Sequence, residues 1–349
     1  MNVRSEIRDA PRALKETLQK GRPEYEALVR QTRWGDGPVY MVGDGSSYVA
    51  ALTGACAFEC LLGWPVVASR AADFVAYSAS VIRPRSVLLV LSPSGESDET
   101  LEAAREARSR GSVLLALTST ATSRLAEMAD GVFLLRTGEE SAAGLKTVLC
   151  QQAAMSFIGL VAARALKRHH QQLDVLEREF RNLPEQAEWI LTRLTDAVRS
   201  FAAELQSVSS LLLVGAGFYY PCALQAAPVF ERLTSVRAEG IEATEFLGGP
   251  SRLRDPNAAA LFLSGSRCRL KKKIHESARG AQKAGVKVFA VTDTNDRELS
   301  EISTLAVLLP SVTEMVGSTL TLLLVQWLAC CLWREQAAAP KRSPSSPHA

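Results

Sequence analysis

The feature that most restricts what this chain can fold into is an internal repeat. Val39–Leu52 (VYMVGDGSSYVAAL) and Leu211–Leu224 (LLLVGAGFYYPCAL) each run from an apolar stretch through Gly-x-Gly into a helical pattern. The downstream spacing repeats too: Ser92 follows Gly43, and Ser264 follows Gly215, by 49 positions. A third apolar run recurs, ending near Thr118 in LLALTST and near Thr292 in VFAVTDT. Repetition at this scale means two homologous units. Short apolar runs alternating with helical segments make each an α/β unit, a three-layer sandwich around a mainly parallel, Rossmann-like sheet with ligands at the carboxyl ends of the strands.

The first copy carries the clearest binding signal. Leu88–Thr100 (LLVLSPSGESDET) leaves a buried strand through small hydroxyl residues around Gly95 and enters a helix starting at Asp98. The unpaired N–H groups of a first helical turn and the positive end of the helix dipole stabilise an anion there. Ser92, Ser94, Ser97 and Thr100 offer hydroxyls, and Gly95 lets backbone approach a ligand. The same residues also suit a helix cap and a turn. The second copy is poorer: after Ser264, Gly265 and Ser266 it places Arg267 and Arg269, and reads as a remnant of the loop.

A chain of 349 residues is ample for two cores. A net charge of +3 with dispersed basic residues argues against nucleic acid, and the one cluster, Arg267–Lys273, equally suits a solvated helix face. The seven cysteines lack zinc-site spacing and read as reduced core residues of a cytoplasmic protein. Met1–Leu18 is charged throughout, unlike a signal peptide, and Thr319–Trp333 is shorter than the roughly 20 residues of a membrane span, so no membrane role is expected. The expected division is an N-terminal helical arm over 1–37, broken near Gly21 and Pro23, and a first domain over 38–168. A helical linker over 169–206 with Pro184 as a boundary, a second domain over 207–334 and a disordered tail over 335–349 complete it.

Several ordered motifs identify a family. EIRDAPRALKETL near the start, GDGSSY at Gly43, SPSGESDET at Ser92, EESAAGLKT at Glu139 and AEGIEATEFLGGP at Ala238 resemble the tandem sugar isomerase (SIS) domain proteins. The resemblance is closest to the isomerase half of the glucosamine-6-phosphate synthases and covers nearly the whole chain. It begins at the arm before the first SIS domain and offers no Cys near Met1, so the glutaminase activity of those enzymes is not expected from it.

The resemblance implies a sugar-phosphate site on the first domain. It places Gly45, Ser46 and Ser47 at the first glycine-rich turn and Ser92, Pro93, Ser94, Gly95 and Ser97 in the phosphate loop. Ala142 falls at a backbone contact to the sugar, and Lys146 lies beside it. Pro93 stands where a glutamine is frequent, and its backbone N–H is lost. The catalytic positions depart further. The base falls at Arg232, a lysine of the same helix at Val229 and the ring-opening histidine at Gly248, while the lysine-bearing tail is replaced by PKRSPSSPHA. Glu231, one position from Arg232, and Glu242 and Glu245, in the segment that approaches a neighbouring subunit's sugar, are the candidate bases; each equally suits a surface carboxylate. His169, His170, His275 and His348 form no cluster, and neither metal nor cofactor is expected.

The function implied is a phosphosugar-binding enzyme of aldose–ketose isomerase, deaminase or deglycase type, acting on a hexose or amino-sugar phosphate as a homodimer with sites completed across the interface. The alternative is a phosphosugar-binding or regulatory protein without catalysis.

Overall fold

In the computed structural model, which describes residues 2–34, 37–168, 171–246, 255 and 257–338, the two repeats are two five-stranded sheets. The first contains β1 (Val39–Gly43), β2 (Val66–Ser69), β3 (Val87–Leu91), β4 (Val113–Thr118) and β5 (Gly131–Leu134) in the order β2-β1-β3-β4-β5. The second contains β6 (Ser210–Gly215), β7 (Arg237–Glu242), β8 (Ala258–Leu263), β9 (Lys287–Asp293) and β10 (Leu305–Leu309) in the equivalent order β7-β6-β8-β9-β10. Every pairing is parallel. The central strands β1, β3, β6 and β8 are buried at every position, which is why they read as unbroken apolar runs.

This strand order sets the site. Connections leave β1 and β3 in opposite directions, so a crevice opens between their carboxyl ends, at the turn after Gly43 and the loop after Leu91. Gly43 is required by close approach: a Cβ there would stand 2.7 Å from the Ser47 Cβ and 2.9 Å from the Leu91 carbonyl oxygen.

One continuous core joins both domains and the arm, taking in Ile7 and Leu14, Phe58, Phe157, Phe180, Phe230 and Leu328; a second, smaller one fills the other face of the first sheet. At its centre are helices Leu145–Ala165 and Glu314–Ala338, which touch each other. Both are long and apolar enough to cross a membrane, and both are almost wholly buried by protein. The second outgrows the Thr319–Trp333 stretch seen in sequence and passes the Arg334 boundary expected for the tail; residues 339–349 lie outside the described residues.

The arm breaks at Gly21, between a π-helical turn Lys15–Lys20 and helix Arg22–Gln31. Pro184 is no boundary: helix Leu173–Arg193 passes through it, and the chain turns only at Leu194. Proline costs one helical hydrogen bond, here offset by burial of Leu176, Phe180, Leu183, Pro184, Ala187 and Ile190 along one face. Arg267, Arg269 and Lys273 of the basic cluster have carboxylate partners in Glu179, Glu314 and Glu276.

Candidate functional site

The loop after β3 is held rigidly. Gly95 has φ of +68°, and its N–H donates to the Ser92 carbonyl. Thr118 Oγ1 and the Ser119 N–H, at the end of β4, both donate to the Pro93 carbonyl at 2.9 Å. The Ser94 hydroxyl accepts from the Glu96 N–H at 3.2 Å, and the Ser97 hydroxyl donates to Glu99 at 2.8 Å. Ser97 makes no side-chain cap on helix Asp98–Ser109, whereas the Ser92 and Ser94 hydroxyls accept from the Gly95 and Glu96 N–H groups, so of the cap and the turn left open by the sequence only the turn is formed. Ser94 is exposed and Ser97 half-buried, whereas Ser92 and Gly95 lie beneath them.

Beside this loop an open cleft of about 610 Å³ runs between the domains. Gly45, Ser46 and Tyr48 border it from the turn after β1, Arg70 from the end of β2, Pro93 from the loop after β3, Glu140 and Ala142 from the approach to helix Leu145–Ala165, and Thr147 from that helix's first turn. Leu224, Pro228 and Arg232 close it at helical spacing along one face of Tyr219–Leu233. Two hydrogen bonds fasten that helix across the cleft: Gln225 Nε2 donates to the Ser46 carbonyl at 2.7 Å, and Arg232 Nη1 to the Ala143 carbonyl at 2.6 Å.

Of the residues expected at the site, Gly45, Ser46, Pro93 and Ala142 line the cleft. Ser47 is buried behind it and accepts from Gln151 Nε2 at 2.9 Å. Lys146 is not among the residues that line the cleft. Its ammonium is fully buried, 2.6 Å from Asp9 Oδ2 and 2.7 Å from the Glu139 carbonyl. It anchors the arm to the cleft wall, because a buried ammonium needs a full set of acceptors and the arm supplies one. Glu6 of the arm, also fully buried, accepts from the backbone N–H groups of Ser141 and Lys146 at 3.1 Å.

The expected bases are not gathered in this cleft. Glu231 points away, its carboxylate 3.4 Å from the Ala238 N–H. Glu242 and Glu245 lie at and after the end of β7, with Glu242 accepting from the Thr244 backbone and hydroxyl. Gly248, His169, His170 and His348 lie outside the described residues. Glu140 is the carboxylate that lines the cleft, and sequence reasoning passed over it. It receives the Thr147 N–H at 2.6 Å and the Thr147 hydroxyl at 2.7 Å. Burial lifts its pKa above the ordinary 4.5, with the Thr147 hydrogen bonds opposing. The only signal in the sequence was a doubled Glu before Lys146, which does not show which one turns inward.

The second domain's equivalent loop is filled from within. Leu91 pairs with Leu117 in the first sheet and Leu263 with Val291 in the second, so Ser119 corresponds to Asp293, as Ser47 does to Tyr219. Asp293 Oδ2 receives the Ser266 N–H at 2.7 Å and its hydroxyl at 2.9 Å. Tyr219 is buried so tightly that a Cβ on Gly265 or Gly317 would lie 2.5 or 2.6 Å from its hydroxyl. An internal carboxylate thus engages the Ser266 N–H and hydroxyl, with a phenol packed against the adjacent glycine.

Comparison with known proteins agrees with this duplicated architecture. The family model for the SIS domain matches residues 36–161 and again 204–330. The chain belongs to the SIS domain family. Among curated SIS relatives, the glutamine–fructose-6-phosphate aminotransferase of Mycolicibacterium smegmatis is 28% identical over 336 residues, 93% of this chain and 53% of that protein. The enzyme of the same name from Thermococcus kodakarensis is 26% identical over 326 residues, again 93% and 53%. The chain therefore spans about half the length of the curated relatives it matches. Among solved structures, the C-terminal domain of glucosamine-fructose-6-phosphate aminotransferase from Francisella tularensis superposes with a TM-score of 0.85 at 21% identity, covering 96% of each chain. Tagatose-6-phosphate ketose/aldose isomerase from Escherichia coli gives 0.74 at 17% identity, covering 96% of this chain and 92% of the other. Both structures share the fold.

Proposed function

We propose that this SIS protein binds a hexose or amino-sugar phosphate in the interdomain cleft and acts on it as an aldose–ketose isomerase, deaminase or deglycase. The observation that carries this reading is the convergence, at the switch point of the first sheet, of a rigid hydroxyl loop, a glycine turn and a helix from the second domain. The phosphate is assigned to Ser92, Ser94, Gly95, Ser97 and the first turn of helix Asp98–Ser109, and the sugar to the cleft beside Pro93 and Ala142. Proton transfer between C1 and C2 needs a base with a pKa brought toward neutrality. Glu140 is assigned that role because it borders the cleft and its pKa is raised by burial. Glu242 and Glu245 are assigned to a second copy's cleft in a homodimer, since neither borders its own.

One observation favours a second reading, binding or regulation without turnover: the position at which the family's base falls is Arg232, a permanent cation that accepts no proton. The test is thermal stabilisation of the purified protein by fructose 6-phosphate, glucosamine 6-phosphate and their unphosphorylated parents, with turnover assays in parallel. Stabilisation by the phosphorylated sugars alone, lost in Ser94→Ala, is expected, and a ligand at a hundred times its dissociation constant adds about 2.7 kcal/mol. Turnover abolished by Glu140→Gln supports the enzyme; binding without turnover supports the second reading. No effect of either phosphosugar overturns both.

A further inference from the structure

We propose that the natural ligand of the cleft carries a second anionic group, a carboxylate, and that Arg232 is its receptor with Arg70 adding positive charge. The inference rests on the phosphosugar reading above and adds a substrate class to it.

The phosphate loop contains no cation; its donors are hydroxyls and backbone N–H groups of Ser92–Ser97. Arg70 and Arg232, which line the same cleft, are therefore charge beyond what that loop uses. Among the described residues neither guanidinium is paired with a carboxylate. Arg70 lies over the Tyr48 ring, 5.0 Å from its centroid, and Arg232 donates one N–H to the Ala143 carbonyl at 2.6 Å. That single bond leaves its other N–H groups for a ligand, in the fork geometry that matches a carboxylate. Glu140, the only carboxylate among the described residues of the lining, directs its oxygens to Thr147 rather than to either arginine. At the position of Arg232 the family's acidic residue would repel an anionic substituent on the sugar; the arginine attracts one. A neutral sugar phosphate leaves this receptor unused, whereas a sugar-acid phosphate, or a sugar phosphate bearing an amino acid on its reducing carbon, satisfies it.

Calorimetric titration of the full chain tests this with three ligands: fructose 6-phosphate, 6-phosphogluconate, and the glycine adduct of fructose 6-phosphate (1-deoxy-1-glycino-fructose 6-phosphate). A charge-assisted, two-pronged pair predicts that at least one carboxylated ligand binds about tenfold or more tighter than fructose 6-phosphate. The one that does distinguishes a sugar acid from an amino-acid conjugate. Arg232→Gln should bring that ratio to near one, Arg232→Lys should restore part of it, and Ser94→Ala should weaken all ligands together without changing it. Arg232 is exposed, so these variants are expected to fold. Fructose 6-phosphate binding as tightly as both carboxylated ligands, or a preference that survives Arg232→Gln, overturns the proposal and leaves the phosphosugar reading standing. If none of the three binds, both fall.

Discussion

Asp293 holds the Ser266 backbone N–H at 2.7 Å and the Ser266 hydroxyl at 2.9 Å through a single carboxylate oxygen, at the point of the second domain where the first presents an open loop. Duplication produced two loops, and this carboxylate, with Tyr219 behind it, turned one of them into structure. Asp293→Ala takes the acceptor from the half-buried Ser266 and Asn295 N–H groups and leaves the Ser266 hydroxyl with Ser311 alone, and should cost about 1–3 kcal/mol in urea unfolding. Phosphosugar affinity should be unchanged, since the first domain's loop is separate. A loss of affinity equal to that of Ser94→Ala would show that the second loop binds the ligand.

Gly95 is the loop position least able to change. Its φ of +68° disfavours any side chain, and a Cβ would stand 2.1 Å from Ser123 Oγ. Gly95→Ala should displace the loop and abolish stabilisation by fructose 6-phosphate while far-ultraviolet circular dichroism stays that of the parent. Unimpaired binding would count against the loop as the phosphate site.

The contacts of Lys146 predict a contribution to stability. Lys146→Met removes a fully buried ammonium from Asp9 and the Glu139 carbonyl. Asp9 keeps Arg12 at 2.6 Å, so the loss in chemical denaturation should be about 2 kcal/mol, short of that for a stranded buried charge. A neutral result would place little weight on the anchor between arm and cleft wall.

The base role proposed for Glu140 sets a pH dependence of turnover. Its carboxyl titrates above the ordinary 4.5 because burial disfavours the charge more than the Thr147 hydrogen bonds favour it. A base must be ionised, so kcat/KM should rise with pH through that elevated value, and Glu140→Gln should remove the limb and lower the rate about a hundredfold or more. An unchanged acid limb in the variant would transfer the role elsewhere.

A separate dependence concerns stability. His275 is buried, with Nε2 2.9 Å from Asp296 and Nδ1 3.0 Å from Glu298. Burial lowers its pKa, but the hydrogen bonds and charges of those two carboxylates outweigh this and set it above 6.5. Burial raises the Asp296 pKa, and the His275 imidazolium, with the Thr292 and Leu299 hydrogen bonds, brings it below 3.8. The His275 contribution is complete below its unfolded value of 6.5 and is lost as pH rises through the higher folded value. That of Asp296 is present above 3.8 and is lost as pH falls through the lower folded value. Unfolding free energy should therefore be greatest between those limits and decline toward alkaline pH. His275→Gln should flatten the alkaline decline; an identical slope in the variant would refute the assignment.

The sequence by itself determined the duplicated α/β architecture and the glycine and hydroxyl residues of the loop after β3. These follow from local chemistry: strand and helix periodicity, a glycine where φ is positive or backbones meet, and hydroxyls placed where a helix begins. Tertiary structure alone decided what each long polar side chain faces. Lys146 reads like a ligand residue beside Ala142, yet the arm brings Asp9 to it across most of a domain. Glu231 and Arg232 are adjacent, but a helix turns about 100° per residue, so one faces β7 and the other the cleft. Glu140 becomes the cleft carboxylate only because the approach to helix Leu145–Ala165 folds it toward Thr147. Motifs record what the backbone must do; the partner of a charge is chosen by distant segments packing together, and that is settled only when the core closes.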